Sequence, residues 1–334
     1  MLRRLFFGAL ALCGLVASAA PALADCKVGR LAELPVTMVG RRPVVSAKIN
    51  GMDALFVADS GAFFSTITHA NAEKYKLSLE QAPIGFTLQG VTGSTDAEIG
   101  TAKDFSLGRI DVHRIQFLVG GGEMGAETAG LLGQNVFHAG DVEYDLPDGE
   151  IRIFKARGCG GVLLAYWVAP GDPYAFISIE STTATQPHTV GEVYVNGVRL
   201  RATFDTGATN SILTLHAAAR AGIRPNNPGV VYAGRSGGLG QRTVDAWIAP
   251  VSSFKIGQEE IKNTRLMIAD LDLQTDMLVG ADFFLSHRVY VATSQSRMYV
   301  SYGGGPVFSV AARAESPPGP PAPATAASSA ADKP

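Results

Sequence analysis

Two aspartates recur in matching contexts of this chain. Residues 56–62 are Phe-Val-Ala-Asp-Ser-Gly-Ala, and residues 202–208 are Ala-Thr-Phe-Asp-Thr-Gly-Ala. Asp59 and Asp205 therefore occupy equivalent positions in a repeated sequence. Matched frameworks can bring two carboxyls face to face across a pseudo-twofold axis, and a close carboxyl pair can activate water. The repeat therefore predicts the chemistry of peptide-bond hydrolysis.

The segments that carry these aspartates are predicted to be β-hairpins in the same register. Asn-Gly at 50–51 and at 196–197 lies between alternating apolar stretches, and each asparagine precedes its aspartate by nine residues. Asn-Gly favours a type I′ turn, because both central residues of that turn need positive φ. Each aspartate is therefore expected at the end of the second strand of a hairpin.

The repeat continues after the aspartates with nearly constant spacing. Thr68 and Thr214 have the residue type and position of helix N-caps, which predicts helices running to about Leu79 and Gly222. Leu-Leu-Gly at 131–133 matches Leu-Val-Gly at 278–280, and each copy closes with a predicted strand pair. Landmarks conserved in order along both halves indicate a duplicated β-rich lobe.

Two glycine-rich segments, 90–93 and 237–240, also match between the halves and lie between predicted strands. We expect both to be hairpin tips, at least one of which folds over the cleft as a flap. Glycine lets such a tip bend. The flap residues proposed on this basis are Gly90, Gly93, Gly237 and Gly240.

Composition limits the class of protein. The 334 residues are 46% hydrophobic and 17% charged, with a formal net charge of −2. This describes a globular chain long enough for two domains. The mild acidity gives no electrostatic footprint for nucleic acid, so a nucleic-acid partner is not expected.

The two ends differ from the middle in composition. Residues 1–24 combine Arg3-Arg4, an apolar stretch and Ala-Leu-Ala, which predicts a cleaved signal peptide and export to the periplasm or medium. An uncleaved membrane anchor is the alternative; no other segment is apolar enough to insert stably in a membrane. The predicted divisions are a first lobe at 25–157, a linker at 158–189, a second lobe at 190–310 and a disordered Pro/Ala-rich tail at 311–334.

Removal of the leader leaves two cysteines, Cys26 and Cys159, which flank the first lobe. In an oxidising compartment they are expected to form a disulfide that joins the ends of this lobe. The alternative is two unpaired buried thiols. A metal or catalytic role is not expected, because the chain has no Cys-x-x-Cys motif or Cys/His cluster.

The motifs resemble those of aspartic proteases. Asp-Ser-Gly-Ala at 59–62 and Asp-Thr-Gly-Ala at 205–208 look like the catalytic loops of that family, with the alanine typical of retropepsin-like members. The apolar-apolar-Gly segments resemble the strands that cross behind those loops. The resemblance implies an all-β fold with short helices, made of two pseudo-twofold-related retropepsin-like lobes fused as in pepsin-like enzymes. It also implies a monomer acting on a peptide or protein substrate without cofactor or metal.

The resemblance assigns roles within each loop. Asp59 and Asp205 would share one proton, since two carboxyls about 3 Å apart do not both ionise readily. The Ser60 and Thr206 hydroxyls would hydrogen-bond across the symmetry axis and hold the loops rigid. Gly61 and Gly207 would let backbone amides approach the carboxylates. The copies differ at Phe-Phe 63–64 against Thr-Asn 209–210, and at Asn135 against Asp282.

Other chemistries have weaker support. The six histidines show no ligand spacing, so they are interpreted as surface or core residues. The glycine-rich segments 120–122 and 234–240 lack the Gly-Lys-Ser/Thr ending of a phosphate loop. The segment 234–238 has the letters of a serine nucleophile elbow but stands at a predicted hairpin tip.

Two hypotheses follow. The first is an aspartic endopeptidase that uses Asp59 and Asp205. The second is a non-catalytic peptide-binding module that keeps the cleft, which the bulky Phe-Phe pair at 63–64 favours. Retention of both acids favours the endopeptidase.

Overall fold

The computed structural model describes residues 25–83, 87–90, 93–96, 98–120, 128–183, 186–237 and 243–309. The predicted signal peptide and most of the predicted tail lie outside these residues. The described part is mainly β-structure with four helices of four or six residues and one 3-10 turn. The all-β fold of two related lobes, predicted from the repeat and from the family resemblance, is therefore confirmed.

The first half of the chain supplies twelve of the described strands and two helices. They are β1 (Lys27–Val39), β2 (Arg42–Ile49), β3 (Met52–Ala58), β4 (Thr66–Ile67), α1 (His69–Lys74), β5 (Ser78–Gln81), β6 (Thr87–Gly90), β7 (Gly93–Asp96), β8 (Glu98–Leu107), β9 (Ile110–Val119), β10 (Gly130–Leu132), α2 (Gln134–Phe137), β11 (Asp141–Asp145) and β12 (Glu150–Arg157).

The second half repeats most of this order after one connecting strand. The elements are β13 (Ala175–Ser178), β14 (Val190–Val195), β15 (Val198–Phe204), β16 (Ile212–Thr214), α3 (Leu215–Arg220), β17 (Val231–Gly237), β18 (Thr243–Ile256), β19 (Glu259–Ala269), β20 (Met277–Val279), α4 (Ala281–Phe284), β21 (His287–Ala292), the 3-10 turn Thr293–Gln295 and β22 (Arg297–Tyr302).

Each lobe wraps its strands around an apolar core. The first uses the order β2-β3-β10-β4-β9-β8-β5 and the second the order β14-β15-β20-β16-β19-β18-β17. Alternate residues of the hairpin strands point inward, as in β2, where Val45, Ala47 and Ile49 are buried. Phe56 stacks at 5.8 Å on Phe117 within the first core. Burial of such side chains is the main stabilising contribution to both lobes.

A six-stranded sheet joins the two lobes, in the order β13-β22-β21-β11-β12-β1. Its centre is the antiparallel pair β11–β21, where Glu143 faces Tyr290. In the same strand pair Val142 faces Val291 and Tyr144 faces Val289. The pairing is therefore symmetric about Glu143 and Tyr290, and the pseudo-twofold axis passes through this pair of strands. Because the sheet is shared, it fixes one lobe against the other.

The predicted hairpins and caps are confirmed. Asn50 and Asn196 both have φ of 49°, and the glycines that follow also have positive φ, as a type I′ turn requires. Thr68 and Thr214 each accept a hydrogen bond from the backbone of the first helical turn.

The predicted length of the first helix is wrong. It ends at Lys74 and not near Leu79, because Lys76 takes a φ of 57° and the chain turns back toward β5. The backbone N–H of Leu77 bonds to the carbonyl of Ala72, which satisfies the helix end. Helix α3 of the second lobe ends in the same way, with Gly222 in the left-handed conformation.

Cys26 and Cys159 form a disulfide with a Cα–Cα distance of 4.4 Å. It joins the start of β1 to the segment after β12, so it ties the two ends of the first lobe, as the cysteine count predicted. Within the described residues, no helix is long and apolar enough to cross a membrane.

Candidate active site

Each aspartate follows a buried hairpin strand and is held by a neighbouring parallel strand. β3 runs parallel to β10, and the Asp59 N–H donates to the Leu132 carbonyl at 2.9 Å. In the second lobe β15 runs parallel to β20, and the Asp205 N–H donates to the Val279 carbonyl at 2.8 Å. The apolar-apolar-Gly segments found in the sequence therefore support the segments 59–62 and 205–208, which we call the aspartate loops.

The two aspartate loops are joined by a closed set of hydrogen bonds. The Ser60 N–H donates to the Thr206 hydroxyl at 3.0 Å, and the Thr206 N–H donates to the Ser60 hydroxyl at 2.9 Å. Each hydroxyl then donates to the opposite lobe, Ser60 to the Phe204 carbonyl and Thr206 to the Ala58 carbonyl. Both side chains are buried. All the hydrogen-bonding groups of this bridge are therefore satisfied, which makes it rigid.

Glycine is required next to each aspartate because the loops approach each other closely. A Cβ on Gly61 would overlap the carboxyl of Asp205, and a Cβ on Gly207 would overlap the carboxyl of Asp59. The N–H of each glycine also donates to the carboxylate of its own loop at 2.9 Å. The glycines therefore serve both the contact between loops and the solvation of negative charge.

The Asp59 and Asp205 carboxyls are within hydrogen-bonding contact of each other and are partly accessible to solvent. Burial is the largest cause that raises the pKa of Asp59, and the charge of Asp205 and the hydrogen bond to it raise that pKa further. Burial also raises the pKa of Asp205, but the hydrogen bond from Asp59 and the loop N–H groups lower it. Because the pKa of both acids is raised and the two carboxyls are in contact, the pair favours a singly protonated state.

Tyr144 lies beneath the aspartate loops and was not predicted from the sequence. It is buried on β11, packs on Phe284 at 5.5 Å, and lies close enough to Ser60 for that hydroxyl to lower the pKa of Tyr144. Burial is the largest cause that raises its pKa, and the charges of Asp59 and Asp205 raise it further. Tyr144 thus remains a neutral hydrogen-bonding group that supports the loops from the interlobe sheet.

His188 was interpreted from the sequence as one of six surface or core residues, yet it lies beside the carboxyl pair. Its ring lies 6.3 Å from the ring of Phe63, and the charge of Asp205 acts on it. The sequence holds one indirect signal for its position. The repeat offset that relates Val190 to Val44 also relates His188 to Arg42, which is the first residue of β2.

The two candidate flaps are hairpins in their described parts. Gly90 pairs with Gly93 at the end of β6 and β7, and the two residues between them lie outside the described residues. Gly237 pairs with Thr243 at the end of β17 and β18. Gly240 lies outside the described residues, as does the glycine run after Gly120.

The difference at position 135 leaves the hydrogen bonding of the loops unchanged. Asn135 accepts from the N–H and hydroxyl of Ser65 at 2.7 Å each, and Asp282 accepts from the same groups of Ser211. Both serine hydroxyls then receive the N–H of the glycine that follows the apolar pair. Asparagine therefore substitutes for aspartate in this supporting role.

Metal chemistry has no matching residues here. Across the described ranges, no group of three or more His, Cys, Asp or Glu side chains is gathered so that it could hold a metal ion. The aspartate loops instead bring two partly accessible carboxyls into contact, and burial and proximity favour a single shared proton between them. Such a pair can accept a proton and donate another in one step.

Known proteins resemble this chain in fold and in sequence profile. Among 413 matching chains of solved structures is basic 7S globulin from soybean, which is 11% identical with a TM-score of 0.45 over 81% of this chain and 95% of that chain. Curated protein sequences give no significant match. The profile described as "Aspartyl protease" matches residues 45–136 and again residues 191–283, one copy in each lobe. This chain therefore belongs to the aspartyl protease family.

Proposed function

We propose that this protein is an aspartic endopeptidase in which the Asp59/Asp205 pair activates water to hydrolyse peptide bonds. The observation that carries the proposal is the contact between the two carboxyls, where burial raises the pKa of both acids and favours a shared proton. Family membership alone is a weaker argument, since a fold can host a site that has lost its activity. Both acids and both supporting hydroxyls are retained here.

The reaction needs one proton acceptor and one proton donor. The ionised carboxylate takes a proton from a water molecule held between the two acids, and the water oxygen attacks the peptide carbonyl carbon. The protonated carboxyl gives its proton to the carbonyl oxygen. When the tetrahedral intermediate collapses, the C–N bond breaks and the amine leaves with a proton returned through the pair.

A peptide or protein substrate would lie across the two aspartate loops, in contact with both lobes. The β6–β7 and β17–β18 hairpins are proposed as flaps that close over it and exclude water. Because one chain supplies both acids, the protein is proposed to act as a monomer. Phe63 is 45% exposed beside the first loop and gives that side of the cleft an apolar surface that Thr209 does not provide.

The organisation of the chain is part of this proposal. We place the signal peptide at 1–24, the lobes at 25–157 and 190–310, the linker at 158–189 and the tail at 311–334. The Cys26–Cys159 disulfide supports export to an oxidising compartment.

The test is hydrolysis of a peptide library by the purified chain without residues 1–24, at pH 3.5 to 6, with and without pepstatin. We expect pepstatin-sensitive cleavage, and its loss by a factor of a thousand or more in Asp59→Asn and in Asp205→Asn. Asp53→Asn is the matched control, because Asp53 is an exposed acid that pairs with Lys48 on the hairpin surface.

The same variants separate the endopeptidase from a non-catalytic binding module. If the wild-type chain binds peptides but cleaves none across this pH range, the binding module is correct. If Asp59→Asn retains near-normal turnover while folded, the carboxyl pair is not the catalyst. Circular dichroism of each variant establishes that the fold is kept.

A further inference from the structure

The backbone of the second lobe holds His188 near the carboxyl pair. It stands two residues before β14, and the adjacent Thr189 carbonyl accepts the N–H of Phe204 at 3.0 Å. Phe204 is the residue before Asp205. The backbone hydrogen bond therefore holds the start of β14 beside the strand that delivers Asp205, and His188 lies next to that acid.

The His188 ring contacts the first aspartate loop as well. It lies edge-on to Phe63 with 6.3 Å between ring centroids and an interplanar angle of 60°. It also lies within hydrogen-bonding reach of the Gly61 backbone. Since Phe63 and Gly61 belong to the first lobe and His188 to the second, these contacts fix the imidazole at the junction of the two loops.

Asp205 is the ionisable residue, among those described, whose charge acts on His188, and the effect is mutual because His188 lowers the pKa of Asp205. The Gly61 backbone that the ring approaches lies against the Asp205 carboxyl, which a Cβ on Gly61 would overlap. The imidazole is therefore held on the Asp205 side of the pair.

The equivalent position of the first lobe carries Arg42, by the repeat offset that relates Val44 to Val190. Both lobes thus place a basic residue close to the start of the strand that begins the hairpin: Arg42 is the first residue of β2, and His188 lies two residues before β14. An arginine is always charged at physiological pH, whereas a histidine changes its charge between about pH 5 and 8. The substitution therefore makes the charge at this position of the second lobe dependent on pH.

We propose that His188 is a positioning residue of the pair: its charge holds the ionised state on Asp205 and the shared proton on Asp59. Asp205 then acts as the base toward water, and Asp59 acts as the acid toward the peptide carbonyl. This inference rests on the proposed function for its catalytic meaning. The electrostatic coupling between His188 and Asp205 can be tested without catalysis.

The pH dependence follows from the groups that face the ring. Burial is the largest cause acting on the pKa of His188 and lowers it, while Asp205 and the Gly61 backbone raise it. Below this pKa the imidazolium favours ionised Asp205, which extends the singly protonated pair to lower pH. Above it the ring is neutral and the bias between the two acids weakens.

The first test measures the titration of the His188 ring by NMR in the folded chain, with His188→Gln to assign its signal. We expect the pKa of His188 to fall by about one unit in Asp205→Asn, because a neighbouring negative charge is lost. In Asp59→Asn it should not fall, since Asp205 remains ionised. An unchanged pKa in Asp205→Asn, or an equal fall in both variants, would overturn the proposal.

The second test is the pH profile of kcat/KM. In His188→Gln the acid limb should move up by about one pH unit, a tenfold loss on that limb, because ionised Asp205 loses its positive neighbour. In His188→Arg the acid limb should return to its wild-type pH, because arginine supplies a permanent positive charge. Arg42 occupies the equivalent position in the first lobe. His216→Gln, at an exposed helix position, is the matched control and should reproduce the wild-type profile.

A uniform loss of kcat/KM in His188→Gln at all pH values, with neither limb displaced, would show a purely structural role and reject the proposal. If the wild-type chain cleaves nothing, the proposed function fails while the NMR titration still decides the coupling. The two failures are therefore distinguishable.

Discussion

The two aspartate loops have nearly the same hydrogen bonds but different surroundings. In each loop a backbone N–H donates to the hydroxyl of the other loop, and the glycine N–H donates to the carboxylate of its own loop. Each loop also follows a strand that pairs with a parallel neighbour. Beside them, Phe63 stands opposite Thr209 in the repeat, and His188 opposite Arg42. The backbone and hydroxyl framework is thus shared, whereas the side chains that face the cleft are not.

This difference indicates which requirements are strict. The contact between the loops leaves no room for a Cβ at either glycine, so both lobes keep that residue. Peripheral positions have more freedom, and their substitutions change the charge and shape of each half of the site. A symmetric scaffold therefore holds its two acids in different surroundings.

The strictest part of the comparison is tested by Gly61→Ala and Gly207→Ala. Each added methyl overlaps the carboxyl of the other loop, so both variants should lose at least a hundredfold in kcat/KM and about 3 kcal/mol of unfolding free energy. Gly29→Ala is the control, since nothing lies within 4 Å of its added Cβ. A folded variant with normal activity would contradict the required close approach.

The disulfide distinguishes the first lobe from the second. Cys26 and Cys159 are separated by 133 residues, and in the chain-entropy model a closed loop of this length contributes about 4 to 5 kcal/mol. The Cys26→Ala/Cys159→Ala variant should therefore lose about 4 kcal/mol in denaturant unfolding and keep its kcat/KM at low temperature. Reduction of the wild-type protein should reproduce this loss and should not affect the variant further.

Much of this architecture could be predicted from local sequence. Asn-Gly at 50–51 fixes the turn through positive φ, Thr68 fixes a helix start through its side-chain oxygen, and the repeated Asp-Ser/Thr-Gly motif fixes the loops. Each of these signals acts within a few residues, so it can be recognised in the sequence. The repeat then places the two acids in equivalent positions.

The remaining features depend on contacts between distant residues. Tyr144 meets Ser60 only because β11 pairs with β21 below the loops, and His188 meets Phe63 only because the lobes face each other. No local pattern marks either residue. The end of the first helix is a local feature, but the sequence does not indicate it. Lys76 takes the left-handed conformation that a glycine normally takes at a helix end, so no glycine marks the position.

The supporting residues Asn135 and Asp282 should differ in their response to pH. Burial is the largest cause that raises the pKa of Asp282, and its Oδ2 is buried without a partner in the described structure. A raised pKa stabilises the fold at low pH, and that contribution is lost as pH rises through the folded pKa. Asp282→Asn should therefore gain stability relative to wild type between pH 4 and 7.

Denaturant unfolding at several pH values measures this difference, which we expect to reach about 1 kcal/mol by neutral pH, partly offset by the buried amide N–H₂. Asn135→Asp is the reciprocal change at a more exposed position and should vary less with pH. A difference between Asp282→Asn and wild type that stays constant from pH 4 to 7 would contradict the burial of an ionised Asp282.

The smallest expected effect concerns the helix ends. Lys76 and Gly222 occupy the same position of the same terminating motif, with φ of 57° and 76°. A left-handed conformation costs a lysine more than a glycine, although glycine also loses more entropy on folding. Lys76→Gly should therefore stabilise the first lobe by about 0.5 to 1 kcal/mol, and Gly222→Lys should destabilise the second by a similar amount. Unfolding in denaturant compares both variants with wild type, and a loss of stability in Lys76→Gly would show that contacts of the lysine side chain outweigh its backbone strain.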